Sequence, residues 1–355
     1  MTMPNTASPR PEDGKAPVAS CDALGRTDLD GLQPAWSKDP QRIEPCSIND
    51  ILRKHSRERL YVKPLHWTSK QLHHLGCDFA VDPPPHDKKQ NTDDVDKRLV
   101  RSMAEAVRQL APWREQRTKA MAIDDALHDH GLHRTSFEIH LSFAQKPVCR
   151  LRTCGIFSIA GSTSAFMAYL DYNSVAHWRY SSVKMSSSKR GGWPVICLEH
   201  RKRDRIKPPH FSQDPYIAAV LIALAQERRR SMESSEHASC LARTSQPAEP
   251  VTPLPDLVGT EPEGSHCPKA RQARVSVLAT IEKCMYIYTA DMPFAFLDRL
   301  DMPSRFSHAE TVPLSYRCFP YRSVKKISRR IQRIIRSVET HDVISSASHT
   351  GDKSS

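Results

Sequence analysis

Glycine is scarce in this chain, 12 of 355 residues, and no GxxxxGK, GxGxxG or GxSxG occurs. That argues against P-loop, dinucleotide-binding and serine-hydrolase chemistry, which build backbone cradles or sharp nucleophile turns from such motifs. No CxxC pair is formed by the ten cysteines, Cys21, Cys46, Cys77, Cys149, Cys154, Cys197, Cys240, Cys267, Cys284 and Cys318. Free thiols in a reducing compartment are expected rather than a disulfide framework, with Cys197 and Cys284 as small core residues inside apolar runs. The opening MTMPNTASPRPEDGK lacks an apolar signal core and carries Glu12 and Asp13, so the cytoplasm or nucleus is expected rather than secretion. No apolar run approaches the roughly 20 residues of a membrane span. The longest is the ten residues Tyr216 to Ala225.

What is abundant is positive charge. Lys and Arg number 52 against 40 Asp and Glu, a formal charge of +12, which favours acidic partners such as nucleic acid or anionic lipid. Four stretches lack apolar periodicity and are expected to be disordered: residues 1 to about 46, a linker at 81–96, an insertion at 231–272 and a tail from 341. The insertion holds Pro247, Pro250, Pro253, Pro255 and Pro262, which obstruct helix and sheet ladders alike. A short helical segment is expected at 47–80, with Ser47 or Asn49 as a cap, and a single domain at 97–340 spanning the insertion.

Within that domain Leu99, Met103, Ala106, Val107 and Leu110 follow helical spacing up to Pro112. Ala120, Ile123, Leu127 and His130 mark a second helix stopped at Gly131. The period then drops to two. FEIHLSF puts Phe137, Ile139, Leu141 and Phe143 on one face. Residues 151–160 and 164–172 predict two strands turned at Gly161-Ser162, and PVICLEH (194–200) predicts a buried one. ARVSVLAT and CMYIYTA predict two more strands, and MPFAFLDRL a helix. Asp214 and Pro215 are a cap and first residue for a helix over about 214–229, apolar all round and therefore buried all round. The class predicted is α+β, a mostly antiparallel central sheet with this buried helix and flanking helices.

Asp171 ends AFMAYLD and Glu199 ends VICLE, just before the buried helix. This order resembles the restriction-endonuclease-like PD-(D/E)xK core. The resemblance implies a metal-dependent nuclease in which Asp171 and Glu199 hold Mg²⁺ and Arg201 stands where a catalytic Lys orients water. The match is partial: Lys202 falls one place late and no Pro precedes Asp171. The plainer alternative is a pair of solvent-facing carboxylates at strand ends. His128, His130, His133, Cys149 and Cys154 lie near one another in sequence but lack the paired spacing of a zinc finger.

SVKKISRRIQRIIRSVE sets Val324, Ile327, Ile331, Ile334, Ile335 and Val338 on one helical face, with Lys325, Lys326, Arg329, Arg330, Arg333 and Arg336 around the rest. Such a helix docks its apolar face and offers the basic one to phosphates, anionic lipid or a partner protein. RKRDRIK (201–207) is a second basic cluster, a solvated loop or a nuclear-import signal. Finally, RVSVLATIEKCMYIYTADMPFAFLDRLDMPSRF, with DPYIAAVLIALAQ before it, resembles a family of uncharacterised proteins from filamentous fungi. That resemblance implies one domain spanning the insertion and no particular activity. Two functions are thus expected in parallel: a nucleic-acid-associated protein on a nuclease-like core, with weak or no catalysis, or a non-enzymatic protein that binds another through its basic C-terminal helix.

Overall fold

The sheet is laid down from its edges inward, β1 and β2 forming the two edges and later strands filling the space between, by segments whose apolar periodicity changes between 3.6 and 2. The computed structural model describes residues 43–83, 96–111, 113–162, 164–183, 193–244, 271–306 and 311–347, within one compact unit, Arg42–Ser355. Most of the expected N-terminal arm (1–42), linker (84–95), insertion (245–270) and tail (348–355) lies outside the described residues.

Seven strands form one sheet: β1 (Cys77–Val81), β2 (Leu132–Phe143), β3 (Lys146–Ile159), β4 (Ala165–Asp171), β5 (Gln272–Ile281), β6 (Cys284–Pro293) and β7 (Val312–Pro320). Their order is β1-β7-β6-β5-β4-β3-β2. Four of the six pairings are antiparallel; β1 with β7 and β4 with β5 are parallel. The class is α+β, as the sequence predicts. The sheet is mixed because the long connection from β4 to β5 returns the chain in the same direction, whereas a tight hairpin joins only antiparallel strands. The β2–β3 hairpin turns on Ala144 and Gln145, both at positive φ (52° and 61°), as the twist-matched two-residue turn requires even without glycine.

Nine α-helices cover the two faces among the described residues: α1 (Ile48–Lys54), α2 (Ser69–Leu75), α3 (Lys97–Gln109), α4 (Gln116–Asp129), α5 (Tyr172–Ser182), α6 (Trp193–Ile206), α7 (Pro215–Thr244), α8 (Phe294–Asp301) and α9 (Val324–Ala347). On one face α7 packs against β2, β4 and β5 and is roofed by α2 and α8. On the other lie α3, α4 and α9, through Met103, Ile123, Leu127, Ile327 and Ile331.

The ten apolar residues from Tyr216 to Ala225 are each no more than 1% exposed. Asp214 Oδ1 accepts the Tyr216 N–H at 2.9 Å, the cap that the Asp-Pro start predicts. The run stops at Gln226 because that side chain has a different task. Its amide accepts the Ser142 N–H at 2.9 Å and donates to the Ser142 carbonyl at 3.0 Å, occupying part of the backbone of edge strand β2. No helix among the described residues is long and apolar enough to cross a membrane.

Several expectations are corrected. PVICLEH is not a buried strand but the first half of α6, which has no buried residue. A short Val-Ile-Cys-Leu run suits either element, and periodicity cannot decide between them. Cys197 therefore lies on an open helix rather than in the core, and Cys284 is half-buried. The insertion does not begin at 231, since α7 continues to Thr244, and α9 runs beyond 340 to Ala347. The segment 47–80 is not only helical; it delivers β1 to the sheet edge beside β7. Phe137 is 50% exposed, with the Arg134 guanidinium 4.5 Å above its ring.

His130 caps the C-terminal end of α4 and is buried, with neither ring nitrogen hydrogen-bonded among the described residues. Burial pushes its pKa down from 6.5 to about 4, against a smaller opposing pull from Asp129. Between those values the unfolded chain binds a proton that the fold resists, so this stability is present above about pH 6.5 and lost as pH falls towards 4. The loss is at most about 3 kcal/mol. Urea titrations at pH 7 and pH 4.5 should show His130→Leu losing less stability on acidification than the wild type; parallel losses would remove His130 as the cause.

Candidate functional site

Asp171 lies where the sequence places it, at the end of β4, and is 5% exposed. Its Oδ2 accepts from the Ser174 hydroxyl at 3.0 Å, in the first turn of α5. Its Oδ1 accepts from the Thr280 hydroxyl at 3.3 Å, directly across on the parallel strand β5. The Tyr169 hydroxyl lies 3.1 Å from Thr280 Oγ1, and burial pushes that phenol well above its ordinary pKa. The Asp171 N–H donates to Cys154 Sγ at 3.4 Å. Both carboxylate oxygens are thus occupied by hydroxyl donors, the pattern of a buried carboxylate satisfied in place.

Glu199 does not join it at a strand end. It stands on α6 and pairs with Arg203 one turn later. The Arg203 guanidinium carbon lies 3.3 Å from the centre of the Tyr180 ring, so the pair braces α6 against α5. Arg201 is exposed on the same helix, and two residues along a helix are turned by about 200°. These side chains do not fit a shared Mg²⁺: the Asp171 oxygens are engaged by Ser174 and Thr280, and Glu199 is engaged by Arg203 on a helix. Among the described residues, the three-ligand metal grouping includes neither of them.

The basic C-terminal helix falls where its pattern puts it. Ile327, Ile331, Ile334, Ile335 and Val338 of α9 are buried against the sheet, while Lys325, Lys326, Arg333 and Arg336 are exposed and Arg329 is half-buried. Arg330 is diverted: its guanidinium bonds Asp82 at 2.7 Å, just beyond β1. Burial pushes its pKa down; Asp82 opposes this, and the positive charges of Arg317, Arg333 and Arg274 add to the lowering. Helix α3 packs beside α9 and adds exposed Lys97, Arg98, Arg101 and Arg108. Together α3 and α9 carry ten Lys or Arg against three Asp or Glu.

Two features were not legible in the sequence. A cavity of about 550 Å³ lies between the α1–α2 segment and the β2–β3 hairpin, walled mainly by apolar residues such as Ile51, Trp67, Phe143 and Val148. At one side of it His55, Glu58 and His74 bring one ligand atom each within 4.8 Å of one another. His55 closes α1 and Glu58 ends the 3₁₀ turn Ser56–Glu58, in which side chains three apart eclipse. His74 comes from the last turn of α2 and also lines the cavity. Hydrogen bonds from Lys70, then His55, hold the Glu58 carboxyl down at about 2. The spacing His-x2-Glu is visible in HSRE, but the 15 residues separating Glu58 from His74 hide the third member.

No family model, curated protein or solved structure matches the chain.

Proposed function

We propose that this protein binds nucleic-acid backbone through the outer face of α9, extended by α3, without sequence readout and without a catalytic role for Asp171 and Glu199. The observation that carries the reading is the division of α9: Ile327, Ile331, Ile334 and Ile335 are consumed by the core, and the exposed charged side between Lys325 and Arg336 is wholly basic. Lys325, Lys326, Arg329, Arg333 and Arg336 recur at helical spacing over twelve residues, a stripe of ~16 Å at the standard rise. That length faces several successive phosphates, and each neutralised phosphate releases a counterion.

Binding to random duplex DNA is expected to weaken steeply with salt, with a log–log slope of about −0.9 for each phosphate contacted. Reversing Lys325, Lys326 and Arg333 of α9 and Arg101 of α3 to Glu should abolish it while circular dichroism stays unchanged, since all four are exposed. Fluorescence anisotropy across a salt series reads both quantities. Affinity unchanged by the four reversals, or insensitive to salt, would count against the proposal; salt-insensitive capture of one protein instead would favour the protein-partner alternative.

A further inference from the structure

The His55, Glu58 and His74 grouping belongs neither to the basic face nor to the Asp171 network. We propose that these three side chains hold a zinc ion, with the fourth position left to water. Two imidazoles and one carboxylate are a common three-protein-ligand set for zinc with an open position, and two nitrogen donors out of three disfavour Mg²⁺ and Ca²⁺, which take oxygen shells. In a tetrahedral zinc site the ligand atoms lie ~3.3 Å apart, from metal–ligand distances of about 2.0–2.2 Å. Here the three lie within 4.8 Å without an ion, and His55 Nδ1 to Glu58 Oε1 is 2.7 Å. Small side-chain rotations therefore complete the shell.

The surroundings orient the ligands. Lys70 bonds Glu58 Oε2 at 2.8 Å, which leaves Oε1 turned to His55. An outer partner on a ligating carboxylate fixes its geometry in this way. The His55 and His74 rings lie 4.5 Å apart at 51°, and His73 sits 5.6 Å from His74 edge-on. The backbone also converges: Arg59, immediately after Glu58, adopts a left-handed conformation (φ 52°) that turns the chain back towards α2. Zinc bound here would clip the end of α1 to the end of α2, and these two helices supply one wall of the apolar cavity, through Ile48, Ile51 and Leu52 on one side and Leu75 on the other. The metal thus fastens that wall to itself, coupling its occupancy to the order of residues 48–75.

Calorimetric titration of the full chain with zinc chloride should give one equivalent bound at this site, reversed by chelator, and slower amide hydrogen exchange across 48–75. Glu58→Gln, which keeps the shape and removes the charge, and His74→Ala should each weaken binding more than about 100-fold, since loss of an outer-shell partner alone costs about 10–100-fold. His128→Ala with His133→Ala, which removes the other close histidine pair (rings 4.9 Å apart), should leave the isotherm unchanged. Absence of stoichiometric binding to the wild type overturns the proposal. So does equal binding by Glu58→Gln, or loss of binding in the His128/His133 variant.

Discussion

Replacing Arg179 with Ala is expected to lower the free energy of unfolding by about 3–5 kcal/mol, the usual cost of leaving one partner of a buried ion pair uncompensated. Arg179 is 5% exposed and Asp214 fully buried, and Arg179 Nη2 lies 2.6 Å from Asp214 Oδ1. Arg179 Nε also donates to the Leu65 carbonyl at 3.0 Å, so one side chain ties α5 to the 3₁₀ turn Pro64–His66 and to the start of α7. Asp214 cannot be relieved by water from outside: its Oδ2 has no hydrogen-bond partner among the described residues, and its Oδ1 already caps α7. Without the guanidinium the carboxylate is left uncompensated in a dry place, which is unfavourable. Removing both charges, as Arg179→Met with Asp214→Asn, should cost less than the sum of the two single changes, because neither leaves an orphan ion. Urea denaturation midpoints at fixed slope read this directly. An Arg179→Ala variant within 1 kcal/mol of wild type would mean that the pair is hydrated and contributes little.

The parts of this fold that were legible are those whose burial follows a single period. Met103, Ile123 and Leu127 mark α3 and α4, and Val275, Val277 and Leu278 mark β5, because one face or both faces of each element meet the core. Where tertiary context decides, the pattern misleads. Val195 to Leu198 has the composition of a buried strand, yet the place beside β4 is taken by β5, and the segment folds as a helix instead. Edge strand β1 is five residues long and pairs with β7, more than two hundred residues away, so nothing local announces it. The same distinction separates the two candidate sites. The basic face of α9 was readable because a helix repeats its faces every turn. The Asp171–Glu199 pairing depended on a strand that is a helix, and the His55–Glu58–His74 grouping depends on how α2 folds back on α1.

Leu221→Ala in the middle of α7 is expected to destabilise the protein by about 3–5 kcal/mol, near the top of the range for Leu→Ala in a core, whereas Leu221→Met should cost less than about 1.5 kcal/mol. The cost is set by how far the surroundings can close over the missing methyl groups. Here they are held on all sides: residues 216–225 have no solvent-facing position, β2, β4 and β5 lie on one side of the helix, and α2 and α8 lie against it elsewhere. The helix itself is pinned at both ends of the run. Tyr216 bonds the Arg152 N–H and carbonyl at 2.9 Å each, and Gln226 bonds Ser142 through both amide atoms. A helix fixed at both ends to the β2–β3 hairpin cannot slide to fill a void, so the cavity persists and its lining loses dispersion contacts outright. Ala218, Ala219 and Ala223 bring the helix close to its neighbours, which leaves little slack for repacking. Thermal and urea unfolding of the two variants separate volume from polarity. Equal losses for Ala and Met would mean that shape at position 221 matters more than the void, and a loss below 1 kcal/mol for Ala would mean that α7 moves as a unit despite its two anchors.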